Sequence, residues 1–108
     1  MEPYQLSAIE ASDLVRQWEV GCEELLRSRL DRITKREPSI RALLHLDTDR
    51  ALREARELDK TPWKGPPHGL PVGFKDNMDV AGMPTTFNSP VCQGKFATRD
   101  SACARVLL

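Results

Sequence analysis

Apolar residues recur at helical spacing through roughly the first sixty positions, and the pattern then breaks into short apolar pieces between prolines and glycines. Ser7-Ala8-Ile9-Glu10 fits the S-x-x-E capping box, in which the serine and the glutamate each satisfy a free amide at a helix start. Leu14, Val15 and Trp18 follow three and four apart and predict a first helix to about Glu19, broken by Gly21. Glu23 and Glu24 stand where acids favour the start of a second helix, with Leu25, Leu26, Leu30 and Ile33 as its apolar face. Lys35 and Arg36 suit the last turn, and Pro38 is expected to stop it. Ile40 to Leu46 reads as a strand or an extended piece. A third helix is predicted from about Asp49, with Ala51, Leu52, Ala55 and Leu58 on one side, ending before Pro62.

Beyond that proline the period changes. Gly65 to Pro71 reads as a loop, and Val72-Gly73-Phe74-Lys75 is short and apolar enough for a buried strand. Asp76-Asn77 favours a turn, and Ala81-Gly82-Met83-Pro84 another. Asp100 is placed to cap a last helix with Ala102, Val106 and Leu107 as its apolar positions. That helix runs to the last residue without a glycine or polar C-cap, which reads as an interrupted element.

Composition sharpens this division. Residues 1–60 carry 24 charged side chains and residues 61–108 only 8, while six of the eight prolines and five of the six glycines lie between 61 and 94. The chain therefore reads as one partial domain over 1–108, with a helical part (1–60) and a turn-rich part (61–108). Sixteen basic and sixteen acidic residues cancel, so no net field draws the chain to nucleic acid or to a membrane surface. No apolar run approaches the roughly 20 residues needed to span a bilayer. The start of the sequence lacks the basic-then-apolar pattern of a secretory signal. Three irregularly spaced cysteines do not make a disulfide framework, so a reducing, cytoplasmic setting is expected.

Most familiar chemistry is missing. Neither G-x-G-x-x-G nor G-x-x-x-x-G-K-[ST] occurs, and Cys22, Cys92, Cys103, His45 and His68 are too scattered for a zinc spacing. Asp76 and Asp79 read as turn-forming acids ahead of a catalytic carboxylate pair, and His68 as a hydrogen-bonded loop residue ahead of a base. Trp18 and Trp63 read as packing residues. Thr85, Thr86 and Ser89 have hydroxyls but no base near them in sequence. Lys75 is the exception. A lysine on a short apolar segment between Gly/Pro turns is a candidate for a buried, deprotonatable amine, against the plainer reading of a surface lysine paired with Asp76.

The run around it, Gly65-Pro66-Pro67-His68-Gly69-Leu70-Pro71-Val72-Gly73-Phe74-Lys75-Asp76-Asn77-Met78-Asp79-Val80-Ala81-Gly82-Met83-Pro84-Thr85-Thr86, resembles the lysine segment of the amidase signature family. That segment reads G-P-L-H-G-[IL]-P-[VI]-x-[IVF]-K-D-N-x-D-V-x-G-x-x-T-T, and the match holds nearly throughout, with Pro67 where leucine is common. Leu6 to Glu10, Leu30-Asp31-Arg32-Ile33, Pro38 before Ile40-Arg41-Ala42, and Asp100 before an apolar helix also resemble the family. The likeness spans essentially all 108 residues. Two departures stand out: Asn88-Ser89 where the family often has Gly-Ser, and Gly21-Cys22 in place of a polar helix cap.

The resemblance implies an α/β fold, of which this chain holds the amino-terminal helices and the first strands of a mixed sheet. It also implies cleavage or transfer of amide groups by a Ser-cisSer-Lys triad without a cofactor. Lys75 matches the lysine, the general base acting through the middle serine; the substrate-binding residues are unknown, because the family's substrate pockets are built mostly by later residues. Both serines and the oxyanion-hole amides belong to a glycine- and serine-rich segment that these 108 residues lack, since Ser7, Ser12, Ser28, Ser39, Ser89 and Ser101 are isolated. A lysine acts as a base near neutral pH only when its reference pKa of about 10.4 is lowered by burial costing the charged form roughly 3 to 5 kcal/mol. So short a chain encloses little, and alone it is expected to be inactive and marginally folded. The complete enzyme would take a small-molecule amide, with no membrane or metal, and with nucleic acid only if it is part of a tRNA-dependent amidotransferase. The alternative is a non-catalytic binding module, or half of a split enzyme, associating through an exposed apolar surface.

Overall fold

The structure, a computed structural model, describes residues 1–108. Four α-helices form: α1 (Ala8–Arg16), α2 (Cys22–Ile40), α3 (Thr48–Asp59) and α4 (Ala102–Leu107). The chain divides into two units, Met1–Pro71 and Val72–Leu108. No helix is long and apolar enough to cross a membrane.

In the first unit the capping box at α1 forms as its sequence requires. The Ser7 hydroxyl accepts from the Glu10 N–H at 3.2 Å, and the Glu10 carboxylate accepts from the Ser7 N–H at 2.8 Å. The helix ends earlier than its periodicity suggests, at Arg16. Trp18 takes a left-handed backbone (φ 60°), the Glu19 N–H reaches the Leu14 carbonyl at 2.9 Å, and the Trp18 N–H reaches that of Val15 at 3.1 Å. This is a Schellman closure, with a tryptophan where glycine is usual. The turn throws the Trp18 side chain outward, 66 % exposed, so it is not the packing residue its spacing suggested.

α2 begins at Gly21, which has no side chain to cap it. The cap comes from the far end of α3, where the Asp59 carboxylate accepts from the N–H groups of Cys22 (2.6 Å) and Glu23 (3.0 Å). Pro38 does not stop α2, which runs on to Ile40. A proline removes one N–H donor, yet its fixed φ is helical. Here that loss falls in the last turn, where the Arg41 N–H still bonds the Glu37 carbonyl at 2.8 Å and Arg41 closes the helix in the left-handed region (φ 54°). Residues 41–46 form no strand and are exposed. α3 starts slightly earlier than its apolar face implies, because the Asp47 carboxylate accepts from the Arg50 N–H at 3.0 Å.

The core of this unit is small: Ala11, Val15, Cys22, Leu25, Leu26 and Ala55, flanked by Leu6, Val20, Leu30, Leu58, Trp63 and Leu70. Leu25 and Cys22 are its largest fully buried side chains. Glu23 joins α2 to α3 at the surface, accepting from Arg27 at 2.8 Å and Arg56 at 3.1 Å.

The second unit is built from turns. The strand expected over Val72–Lys75 does not form, and no β-strand occurs anywhere in the chain. A strand requires a neighbour to take up its N–H and C=O groups, and no segment of these 108 residues pairs with this one. The observed architecture is therefore helical, where an α/β arrangement was expected. The one β-like feature is an isolated antiparallel bridge between Pro84 and Phe96, extended by bonds from Gly82 N–H to Ala97 O (2.9 Å), Ala97 N–H to Met83 O (3.0 Å) and Thr85 N–H to Lys95 O (3.2 Å). α4 is capped by Ser101, whose hydroxyl accepts from the Ala104 N–H at 3.3 Å, and not by Asp100. Only Ala104 of α4 is buried; Val106 is 81 % exposed.

Candidate functional site: the lysine segment

Lys75 ends the stretch without regular structure that starts the second unit. Its side chain is exposed, not buried, and its Nζ makes no hydrogen bond or ion pair within the chain. The salt bridge to Asp76 considered from sequence is absent, because the Asp76 carboxylate is occupied elsewhere. It accepts the Thr86 N–H at 2.8 Å, the Thr86 hydroxyl through a very short bond, and the Asn88 N–H at 3.3 Å. The Asp76 carbonyl accepts the Phe87 N–H at 3.1 Å. One residue thus gathers four donors from the turn at 86–88. The Thr86 hydroxyl first, and the backbone amides after it, hold the Asp76 carboxyl below the usual carboxylate range.

That turn needs the clamp. Phe87 (φ 51°) and Asn88 (φ 57°) are both left-handed, a region costly for most residues, though less so for asparagine. Asn88 therefore does what glycine would do at the position where the sequence departs from Gly-Ser.

Two further carboxylates act alike. Asp79 accepts from the Thr85 hydroxyl at 2.7 Å, and its carbonyl takes the Ser101 N–H at 2.8 Å. Asp100 accepts the Ala81 N–H at 2.7 Å. Across the Asp76-Asn77 turn, the Lys75 carbonyl accepts the Met78 N–H at 3.0 Å. Asp76 and Asp79 are thus turn-building acids, as their residue type implied: the Asp76 carboxylate holds backbone amides ten and twelve residues away as well as a threonine hydroxyl, and that of Asp79 holds a threonine hydroxyl alone. Thr85 and Thr86 are their partners. Ser89 contributes its backbone, donating to the Thr86 carbonyl at 2.8 Å.

His68 belongs to the first unit, where its Nε2 lies 3.3 Å from the Leu58 carbonyl. It is a tethered loop residue, as its neighbours in sequence implied. Cys22 lies in that unit's core; burial first, then Asp59, pushes its thiol up to about 12. Such a thiol is inert at neutral pH. Sequence reading missed Asp59 as the cap of α2 and Asp76 as the organiser of the 86–88 turn. Both act across long sequence separations, and only the bare Gly21 hinted that a cap must come from elsewhere.

Comparison with known proteins adds the family. A profile of the family described as Amidase matches residues 24–108. A glutamyl-tRNA(Gln) amidotransferase subunit from Salinispora arenicola is 38 % identical over 106 residues, covering 94 % of this chain and 22 % of that protein. Its counterpart from Acidothermus cellulolyticus is 37 % identical over 99 residues (88 % and 20 %), and that from Carboxydothermus hydrogenoformans 33 % over 111 (99 % and 23 %). The chain spans about a fifth of the length of these curated relatives. With the profile covering most of its length, including the whole lysine segment, the chain belongs to the amidase family.

Proposed function

We propose that this chain is the amino-terminal portion of an amide C–N hydrolase, with Lys75 as the general base of its Ser-cisSer-Lys triad. The observation that carries this is a contrast within one run of five residues. The Asp76 carboxylate is taken up by three structural hydrogen bonds and that of Asp79 holds the Thr85 hydroxyl, while Lys75 projects with no partner in the chain. In the complete site Lys75 would act through the middle serine to take the nucleophilic serine's proton as that oxygen adds to the amide carbonyl. The proton would then pass to the departing nitrogen, leaving an acyl-enzyme for water to hydrolyse. Neither serine nor the oxyanion donors are among these 108 residues, so the chain alone is read as inactive. The backbone of Val72–Phe74, which makes no hydrogen bond within the chain, and the exposed Phe87, Val91 and Phe96 fit a segment covered by the rest of an α/β domain.

Within that reading, the named relatives favour a component of an amidotransferase that works on glutamyl-tRNA(Gln) over a free-standing amidase. The three free thiols fit a cytoplasmic setting. The test joins this chain to the remaining four fifths of one such relative and follows ammonia release from glutamine and from simple amides. The chain alone should show no turnover. The joined protein should turn over, and Lys75→Ala should lower its kcat by on the order of 10³-fold or more. An inactive joined protein, or a Lys75→Ala variant as active as its parent, overturns the proposal.

A further inference from the structure

We infer that Asp76 is the positioning residue for Lys75: by gathering the 86–88 turn onto the residue next to the lysine, its carboxylate sets where the Lys75 amine is presented. The inference deepens the reading of Lys75 as general base and rests on it.

The geometry is local and one-sided. Among these 108 residues Val72–Lys75 has no strand partner, so a ladder on the amino-terminal side of Lys75 would be supplied by the rest of the domain and not by this chain. The bonds of this chain that fix the Lys75 backbone lie on the carboxyl-terminal side. The Met78 N–H closes onto the Lys75 carbonyl at 3.0 Å, and Asp76 then receives Thr86 N–H, Thr86 hydroxyl and Asn88 N–H on its carboxylate and Phe87 N–H on its carbonyl. A carboxylate accepts several such bonds at once and holds them more strongly than a neutral acceptor does. The clamped turn is itself poor at holding its shape, with two consecutive non-glycine residues at positive φ. Without Asp76 the turn would relax towards φ below zero, and the peptide following Lys75 would lose its reference point. Asp79 does not duplicate this role, because its partners are Thr85 and Ser101.

Positioning of this kind acts on the chemical step. A displacement of about 1 Å at a reacting group costs up to roughly 100-fold in rate, so Asp76→Ala should lower kcat by about 10- to 100-fold with KM unchanged within about twofold. Thr86→Val, which keeps the amide but not the hydroxyl, should lose part of that. Thr86→Ser, which restores the hydroxyl, should recover most of it.

Two measurements test this. In the 108-residue chain, amide hydrogen exchange of Thr86, Asn88 and Met78 should quicken in Asp76→Ala but not in Asp79→Ala. Unchanged exchange at Met78 would show that Asp76 does not order the Lys75 peptide, whatever the enzyme does. In the joined protein, Asp76→Ala should lower kcat alone. If Lys75→Ala abolishes turnover while Asp76→Ala leaves kcat intact, the positioning role falls and the Lys75 reading stands. If Lys75→Ala leaves turnover intact, the Lys75 reading falls and takes the positioning role with it, while the exchange data still report whether the clamp exists.

Discussion

Replacing Asp59 by alanine removes the side chain that caps the first amides of α2, and the cost follows from the bonds it makes. The carboxylate accepts two helix N-terminal amides, from Cys22 at 2.6 Å and Glu23 at 3.0 Å, and Gly21 offers no substitute. Loss of a helix N-cap costs about 0.5–2 kcal/mol. Stranding the N–H of Cys22, a residue only 2 % exposed, costs roughly 1–3 kcal/mol, and the two figures describe largely the same loss. The negative charge at a helix start adds about 0.3–1 kcal/mol. A destabilisation of about 2 kcal/mol results. In urea, with a slope of roughly 1 kcal/mol per molar for a unit this small, the midpoint followed by far-ultraviolet circular dichroism should fall by about 2 M. Asp59→Asn, with one acceptor oxygen in place of two, should fall about half as far. Gly21 already has the extended backbone an N-cap residue adopts (φ −77°, ψ 153°). Gly21→Ser in the Asp59→Ala background should therefore restore about 1 kcal/mol. A midpoint unchanged in Asp59→Ala, or no recovery with Gly21→Ser, would refute the assignment of Asp59 as the missing cap.

The lysine segment supplies the other predictions. Gly69 has φ +79°, and a Cβ there would collide with the Cys22 sulfur and lie 3.4 Å from Val15, inside the core of the first unit. Gly69→Ala should cost at least about 2 kcal/mol by the same urea assay, from left-handed strain and overpacking together, and a loss below about 0.5 kcal/mol would contradict the packing. Gly73 has open space around it, so Gly73→Ala should be neutral within about 0.5 kcal/mol. The 86–88 turn should be acid-labile. The Asp76 carboxyl is held below its ordinary value of about 3.9, so the clamp is fully present above that value and is lost as pH falls through the lower, folded-state one. Carbon-13 titration of Asp76 with Thr86 and Asn88 amide shifts should show one joint transition below about pH 4. Titration of Asp76 at or above the ordinary value would exclude the clamp.

What could be read from the sequence follows the range of the forces involved. The α1 cap was legible because Ser7 and Glu10 sit three residues apart and satisfy each other. The helices themselves followed from periodicity, and the turn chemistry of Asp76, Asp79 and Asn88 from residue type. Errors arose where a local rule met a competing local geometry. Trp18 fell on the apolar stripe of α1, yet Leu14 collected the N–H of Glu19 and turned the chain first. Pro38 is a breaker by type, but in the last turn of a helix its missing N–H costs little. Asp59 and the Asp76–Thr86 pair lay beyond any local rule, because partners 36 and 10 residues apart announce themselves only by an unfilled need at one end.

The expected strand at Val72–Lys75 fails for a different reason, and that reason bears on Lys75 itself. Apolar character specifies that a segment should be covered, not what covers it; a strand is a relation between two segments, and none of these 108 residues pairs with this one. Burial of Lys75 is the same kind of property. The lowered basicity that a general base needs comes from surroundings that exclude water, and here the amine faces solvent. The chain's own contribution to the proposed site is accordingly directional. On the proposed reading Asp76 and its turn would orient the peptide that carries Lys75, whereas the environment that tunes the amine would come from residues packed against Val72–Lys75 in the complete domain. Orientation and tuning are then separable by experiment: Asp76→Ala in the joined protein should lower the height of the kcat–pH profile without moving its basic limb. A shift of that limb by more than about half a pH unit would mean that Asp76 tunes the lysine electrostatically, and would overturn the division of labour argued from this geometry.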